Sequence, residues 1–211
     1  MQAITRLLCG IGLMGLFSCK KEKSSETIYE VCGYAPYTTE STFDYVYVSN
    51  TQDTLAYTLI VTGDTLINGD RFSILNNGYT SQYIRCDNGR YFLFEFGISV
   101  PGYERPDGVR LFLYDNKSVG ATWADTITAV ASGQPQIGLL QYTILQQGGF
   151  RTVMGHEYAN VIGVRQDASV LIDSTVHLLG TIATYYYAQD VGYIQAIAPE
   201  YTVSLKNYNV K

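Results

Sequence analysis

Residues able to do catalytic chemistry are few in this chain, and they are scattered. There are two histidines, His156 and His177. His156 stands beside Glu157 just after Met154-Gly155, at an expected hairpin tip, and neighbouring residues of a strand point to opposite faces, so the two do not converge on one ion. A zinc centre needs three or four converging ligands, and neither His-Glu-x-x-His nor Cys-x-x-Cys spacing is present. No Gly-x-Ser-x-Gly marks a nucleophile elbow. Glu95, Glu104, Asp107 and Asp115 lie close in sequence around residues 99–108, and carboxylates held about 5 to 10 Å apart can cleave glycosidic bonds. A loop of Pro, Gly and charge is, however, first a solvated connection. Asp64, Asp70 and Asp87 lack the alternating pattern of a calcium loop and read as turn-formers. The residues predict no catalytic group, no metal and no cofactor.

Tyrosine is the unusual component, with 19 Tyr beside 8 Phe and one Trp. An aromatic face carrying a hydroxyl suits the binding of sugars or peptides, and Tyr185, Tyr186, Tyr187 and Trp123 are the candidate platform. Tyrosine is also a favoured strand residue, so the bland alternative is that these rings are half-buried packing.

The first residues form a different kind of site. Arg6 is followed by an apolar run from Leu7 to Phe17, then Ser18-Cys19 and the charged stretch Lys20-Lys21-Glu22-Lys23. A positive start, a short apolar run and a small residue before the cut describe a secretory signal. The run is about half of the roughly 20 residues that a membrane-spanning helix needs. Leu16-Phe17-Ser18-Cys19 resembles the lipobox of bacterial lipoproteins, which implies cleavage before Cys19 and a diacylglyceryl thioether on its sulfur. Each buried methylene of an acyl chain adds about 0.8 kcal/mol of membrane affinity, so a multiply acylated terminus anchors a protein that does not span. The expected organisation is a signal peptide at 1–18, a lipidated tether at 19–27 and one domain at 28–211.

Cleavage would remove one charged residue, Arg6, leaving 13 Lys and Arg against 19 Asp and Glu, a net of −6. That balance argues against nucleic acid, which requires a basic footprint. Of the four cysteines, Cys9 leaves with the signal and Cys19 is acylated. Cys32 and Cys86 remain, an even number in an oxidising compartment. A disulfide between them would contribute roughly 4 kcal/mol by constraining the unfolded chain; two buried free thiols are the alternative.

Such residues must be positioned by strands. Short runs rich in Val, Ile, Thr, Tyr and Phe, bounded by Gly, Asn or Asp, occur at 43–48, 54–62, 71–75, 82–86, 91–96, 109–114, 139–146, 151–154, 158–165, 183–188, 193–198 and 202–205. No window keeps helical spacing over three turns. Asn68-Gly69 and Asn88-Gly89 suit tight hairpin turns, which place both central residues at positive φ. Residues 66–72 are faintly echoed at 152–158, and 83–89 at 186–192, with unequal spacing between the copies. The expected fold is an all-β antiparallel meander forming a curved sheet, a sandwich or an incomplete barrel.

Lys20-Lys21 after the lipobox, VTGDTLINGDRF at 61–72, YIRCDNGRYFLF at 83–94, LYDNKSVGATW at 113–123 and YYYAQDVGYIQ at 185–195 together resemble small Bacteroidetes-type lipoproteins of uncharacterised function. The likeness loosely covers most of the mature chain. Its motifs are turns and packing positions, so it implies address and fold and transfers no catalytic residue. Lys20, in place of the aspartate that retains enteric-type lipoproteins at the inner membrane, implies the outer membrane. The functions this leaves open are a non-catalytic envelope lipoprotein that binds a protein or glycan partner, a carrier of a small hydrophobic ligand or lipid in a half-barrel, and a glycan-acting hydrolase.

Two expectations can be measured. Cys19→Ala should release the protein from membranes or block its maturation, as fractionation would show. Val at Gly69 or Gly89 should destabilise the domain, and Val at Gly133 should cost less, because the Ser-Gly-Gln-Pro stretch reads as a longer, more yielding loop.

Overall fold

Alternation of more and less buried side chains marks β-strands such as residues 42–46, 122–131 and 192–197 in the computed structural model, which describes residues 32–211. The expected signal peptide, Cys19 and the expected tether lie outside the described residues. In chain order the strands are β1 (Thr42–Ser49), β2 (Thr54–Ile67), β3 (Asp70–Asn76), β4 (Ser81–Asp87), β5 (Arg90–Glu95), β6 (Ile98–Val100), β7 (Tyr103–Arg105) and β8 (Gly108–Tyr114). They continue as β9 (Thr122–Ala131), β10 (Gln134–Gln147), β11 (Phe150–Val153), β12 (His156–Ala159), β13 (Val161–Ile172), β14 (Thr175–Ala188), β15 (Gly192–Ile197) and β16 (Tyr201–Asn209). No helix occurs among the described residues.

Fourteen strands form one antiparallel sheet in the order β6-β7-β9-β10-β13-β14-β15-β16-β1-β2-β3-β4-β5-β8, and β11-β12 form a separate ribbon. The sheet has two arms, one from β1 out to β8 and the other from β16 back to β9. They join at β1 and β16, where Thr42 faces Asn209 and Ser49 faces Tyr201. The chain climbs one arm, crosses from edge to edge between β8 and β9, and returns along the other. The sheet curls without closing into a barrel.

The turns follow from residue type. Asn68 and Gly69 have φ of 54° and 88°, and Asn88 and Gly89 have 50° and 72°, so both pairs make the tight turn that matches strand twist. The echo Met154-Gly155 adopts the same geometry at 51° and 82° between β11 and β12. The later echo at 189–191 is a three-residue loop, because Ala188 pairs with Gly192.

Four expectations need correction. Ser132 and Gly133, at φ 50° and 76°, form a two-residue turn in which Ala131 faces Gln134, and not a long loop. Pro135 is tolerated there because β10 is flanked only by β9 at that point; its pairing with β13 begins at Ile137. Residues 158–165 are not one strand, since Asn160 at φ 51° separates β12 from β13. The connection 99–108 carries the β6–β7 hairpin, which leaves one arm and pairs with β9 of the other, Tyr103 facing Ala131. Finally, β9 itself was not anticipated; only alternate residues of it are partly covered, and those are Trp123, Asp125, Ile127, Ala129 and Ala131, a weakly hydrophobic set.

Val at Gly69 or at Gly133 should therefore destabilise the domain to a similar degree, on the order of 1 to 3 kcal/mol from backbone strain. Gly89→Val should cost most, because its Cβ would also run into the Asp115 carboxylate. Thermal melts compare the three; a Gly133→Val protein melting with the wild type while the other two fall would contradict the tight turn at 132–133.

Candidate functional site: a tyrosine-lined cavity

Curling brings the inner faces of the two arms opposite each other, and large rings occupy the space between. Tyr45 of β1 stacks against Tyr57 of β2 with centroids 5.5 Å apart, and lies 5.4 Å from Tyr193 of β15. Tyr193 in turn lies 5.9 Å from Tyr187 of β14, whose ring meets Phe112 of β8 across the interior at 5.6 Å. Rings at these separations and tilts attract beyond their simple burial. The segment ahead of β1 covers part of this interior. There Tyr37 packs edge-on against Phe43 and its hydroxyl accepts from the backbone N–H of Tyr193. Gly192 leaves room for that ring, since a Cβ would sit 2.9 Å from the hydroxyl.

The rings leave a half-open cavity of about 480 Å³, with residues of both arms in its wall. Seven tyrosines line it: Tyr37, Tyr45, Tyr57, Tyr142, Tyr185, Tyr187 and Tyr193. Leu59, Leu75, Ile84, Leu93, Phe94, Phe96 and Phe112 add apolar wall, and Ser81, Gln82 and Gln166 add polar groups. Several hydroxyls are engaged. Tyr45 donates to the carbonyl of Tyr193 at 2.8 Å, and Gln166 Nε2 donates to the Tyr142 hydroxyl at 3.1 Å.

Charge is confined to one group. Glu95, at the end of β5, pairs with Arg105 Nη1 of β7 at 2.6 Å and with Arg110 Nη2 of β8, and all three line the cavity. Arg105 also donates to the carbonyl of Phe96 at 3.1 Å, which ties the root of the β6–β7 hairpin to β5. Gly97 permits this close packing; a Cβ there would lie 2.6 Å from the Arg105 carbonyl oxygen.

The proposed platform is divided by strand geometry. Tyr185 and Tyr187, two apart, both face the cavity. Tyr186 faces away; the guanidinium of Arg151 lies 3.3 Å from its ring centroid. Trp123 does not line the cavity; paired with Tyr142 across β9 and β10, it stacks on that ring at 5.3 Å and 7°, with its indole N–H donating to the carbonyl of Leu111 at 2.8 Å. Three consecutive tyrosines cannot share one face of a strand, so the exposed four-ring platform is replaced by a concave one. Of the four candidate carboxylates, Glu95 alone lines the cavity. Asp115 accepts from Tyr91 at 2.7 Å, Asp107 accepts from the N–H of Gly97, and Glu104 is exposed on β7. His156 is exposed beside a separate cleft of about 130 Å³, and His177 is exposed on β14. No group of three or more His, Cys, Asp or Glu converges among the described residues. Cys32 and Cys86 are joined as a disulfide with Cα atoms 6.0 Å apart, fastening the segment ahead of β1 to β4. Sequence singles out Glu95 only as a candidate glycosidic carboxylate; Arg105 and Arg110, in an expected surface loop and near the start of an expected strand, carry no sequence signal of the pairing.

Burial keeps the cavity tyrosines neutral. It pushes Tyr37, Tyr142 and Tyr185 up to about 12, the last two despite the opposing field of Arg110, and it holds Tyr45, Tyr187 and Tyr193 well above the usual value of 10. Below pH 10 both folded and unfolded chains carry these protons, and the fold keeps its full stability. Above it the unfolded chain ionises first, so stability should fall as pH rises from 10 through 12. Tyrosinate absorbance of the buried class should emerge together with the loss of folded circular dichroism. Complete ionisation near pH 10 with the fold intact would contradict the buried ring cluster.

No protein-family model matches the chain, and no curated protein matches it in sequence. Among solved structures it is similar to a chain from Bacteroides fragilis described as an exported protein with a YmcC-like fold, at 7% identity and TM-score 0.50, over 82% of this chain and 97% of that one. It is also similar to a chain from Parabacteroides distasonis described as a lipoprotein, at 9% identity and TM-score 0.48, over 82% and 97%. The hypothetical lipoprotein YmcC of Escherichia coli follows at 9% identity and TM-score 0.40, over 85% and 90%. At 7% identity the likeness to the Bacteroides fragilis chain is one of fold.

Proposed function

We propose that this protein is an envelope lipoprotein, held by acyl chains on Cys19 and placed at the outer membrane, which binds a small ligand between the arms of its sheet and carries out no reaction on it. The tyrosine-lined cavity carries this reading. Its volume, about 480 Å³, falls within the roughly 300 to 1,000 Å³ of small-molecule sites, and its wall combines apolar area with a few placed polar groups. The carboxylates that a glycan-acting hydrolase would require do not gather there; Glu95 is paired with two arginines. Export is supported by the signal-like first 18 residues and fits the exported protein that shares the fold. A second reading, docking on a protein or polymer, is favoured by Val176, Leu178 and Leu179, which stand exposed on β14.

The test uses the unlipidated Cys19→Ala protein and the neutral fluorescent probe N-phenyl-1-naphthylamine. The cavity reading expects saturable binding at about one probe per chain. Titration without saturation would contradict it.

A further inference from the structure

The cavity wall holds three ionised side chains, Glu95, Arg105 and Arg110. One carboxylate answers two guanidiniums, so the wall carries a surplus positive charge in a chain whose net charge is −5. The three side chains are only 16 to 25% exposed, which leaves their field less screened than that of surface charges.

The two arginines are not equivalent. Arg105 has a structural duty, since it bonds both Glu95 and the Phe96 carbonyl at the root of the β6–β7 hairpin. Arg110 shares the same carboxylate, and its Nε is buried with no acceptor in the protein. A guanidinium offers five donors in a rigid plane matched to an oxyanion. Register fixes where it sits: Arg110 faces Leu93 on β5, and Tyr142 and Tyr185 feel its charge from the other arm. The surplus is therefore held by two paired strands at the edge of a wall of rings.

Resting on the cavity reading above, we infer that the ligand is an amphipathic monoanion, with a flat apolar body among the tyrosines and a carboxylate, phosphodiester or sulfonate group at Arg110. Rings favour a flat body through offset stacking and edge contacts, and a single oxyanion balances the single surplus charge.

Two probes sharing one body separate the claims: N-phenyl-1-naphthylamine, which is neutral, and 1-anilinonaphthalene-8-sulfonate, which adds a sulfonate. Arg110→Gln should weaken binding of the sulfonate about tenfold or more relative to that of the neutral probe, as loss of a charged hydrogen bond does. Glu95→Gln removes the competing carboxylate and should tighten the sulfonate alone, so this variant decides the matter if Arg110→Gln does not fold. Added salt should weaken only the sulfonate. If neither variant nor salt changes the sulfonate relative to the neutral probe, the anion assignment is overturned while the cavity reading stands. If neither probe binds the wild-type protein, both fall.

Discussion

A sheet with a hydrophobic face must bury that face against something, and here the sheet has mainly itself. The described residues contain no helix and no second large sheet, only the small β11–β12 ribbon. Fourteen twisted strands in one continuous sheet cannot stay flat, and curling is the available way to cover the inner side chains. The bulk of those side chains then sets how tightly the curl can close. Tyr45, Tyr57, Tyr187 and Tyr193 hold the arms apart as much as they join them, and a cavity remains where the rings do not meet.

The seam where the sheet stays open is closed by side chains in place of backbone pairing. Trp123 reaches from β9 to the Leu111 carbonyl on the free edge of β8, and Tyr114 packs edge-on against the same indole at 5.0 Å. Gln147 donates to the Asp115 carbonyl at 2.8 Å. The β6–β7 hairpin spans the remaining corner, rooted by the Glu95 pairings. An exposed edge invites pairing with another chain, and these contacts blunt the edge at β8. At the seam, therefore, the groups that hold the curl together include the groups that line its cavity.

Much of the fold was legible because local chemistry and the final structure agree. Asn68-Gly69 and Asn88-Gly89 favour the positive φ of a tight hairpin turn, and the burial of β1 and β15 alternates as a half-buried strand should. Other parts were illegible for physical reasons. Ser132-Gly133 makes the same turn as Asn-Gly, but the following Pro135 disguises it, since its tolerance depends on which strands flank β10. β9 covers its inner face with Trp, Asp and Ala because it lies near the sheet edge and buries little. For the site, a tyrosine surplus signalled aromatic recognition but not its concave form. Tyr187 meets Phe112 only once the distant strand β8 is placed, and Arg105 and Arg110 gain Glu95 as a partner only once β7 and β8 are placed.

Trp123 is the only tryptophan of the chain and is stacked on a tyrosine of the cavity wall, so it reports directly on what enters. Resonance energy transfer from Trp123 to bound N-phenyl-1-naphthylamine is the most direct test that the space between the arms is the binding site. The account predicts that indole emission falls and probe emission rises with the same saturable dependence, and that Trp123→Phe abolishes the transfer while probe binding remains. Saturable probe binding with indole emission unchanged would place the ligand elsewhere and contradict it.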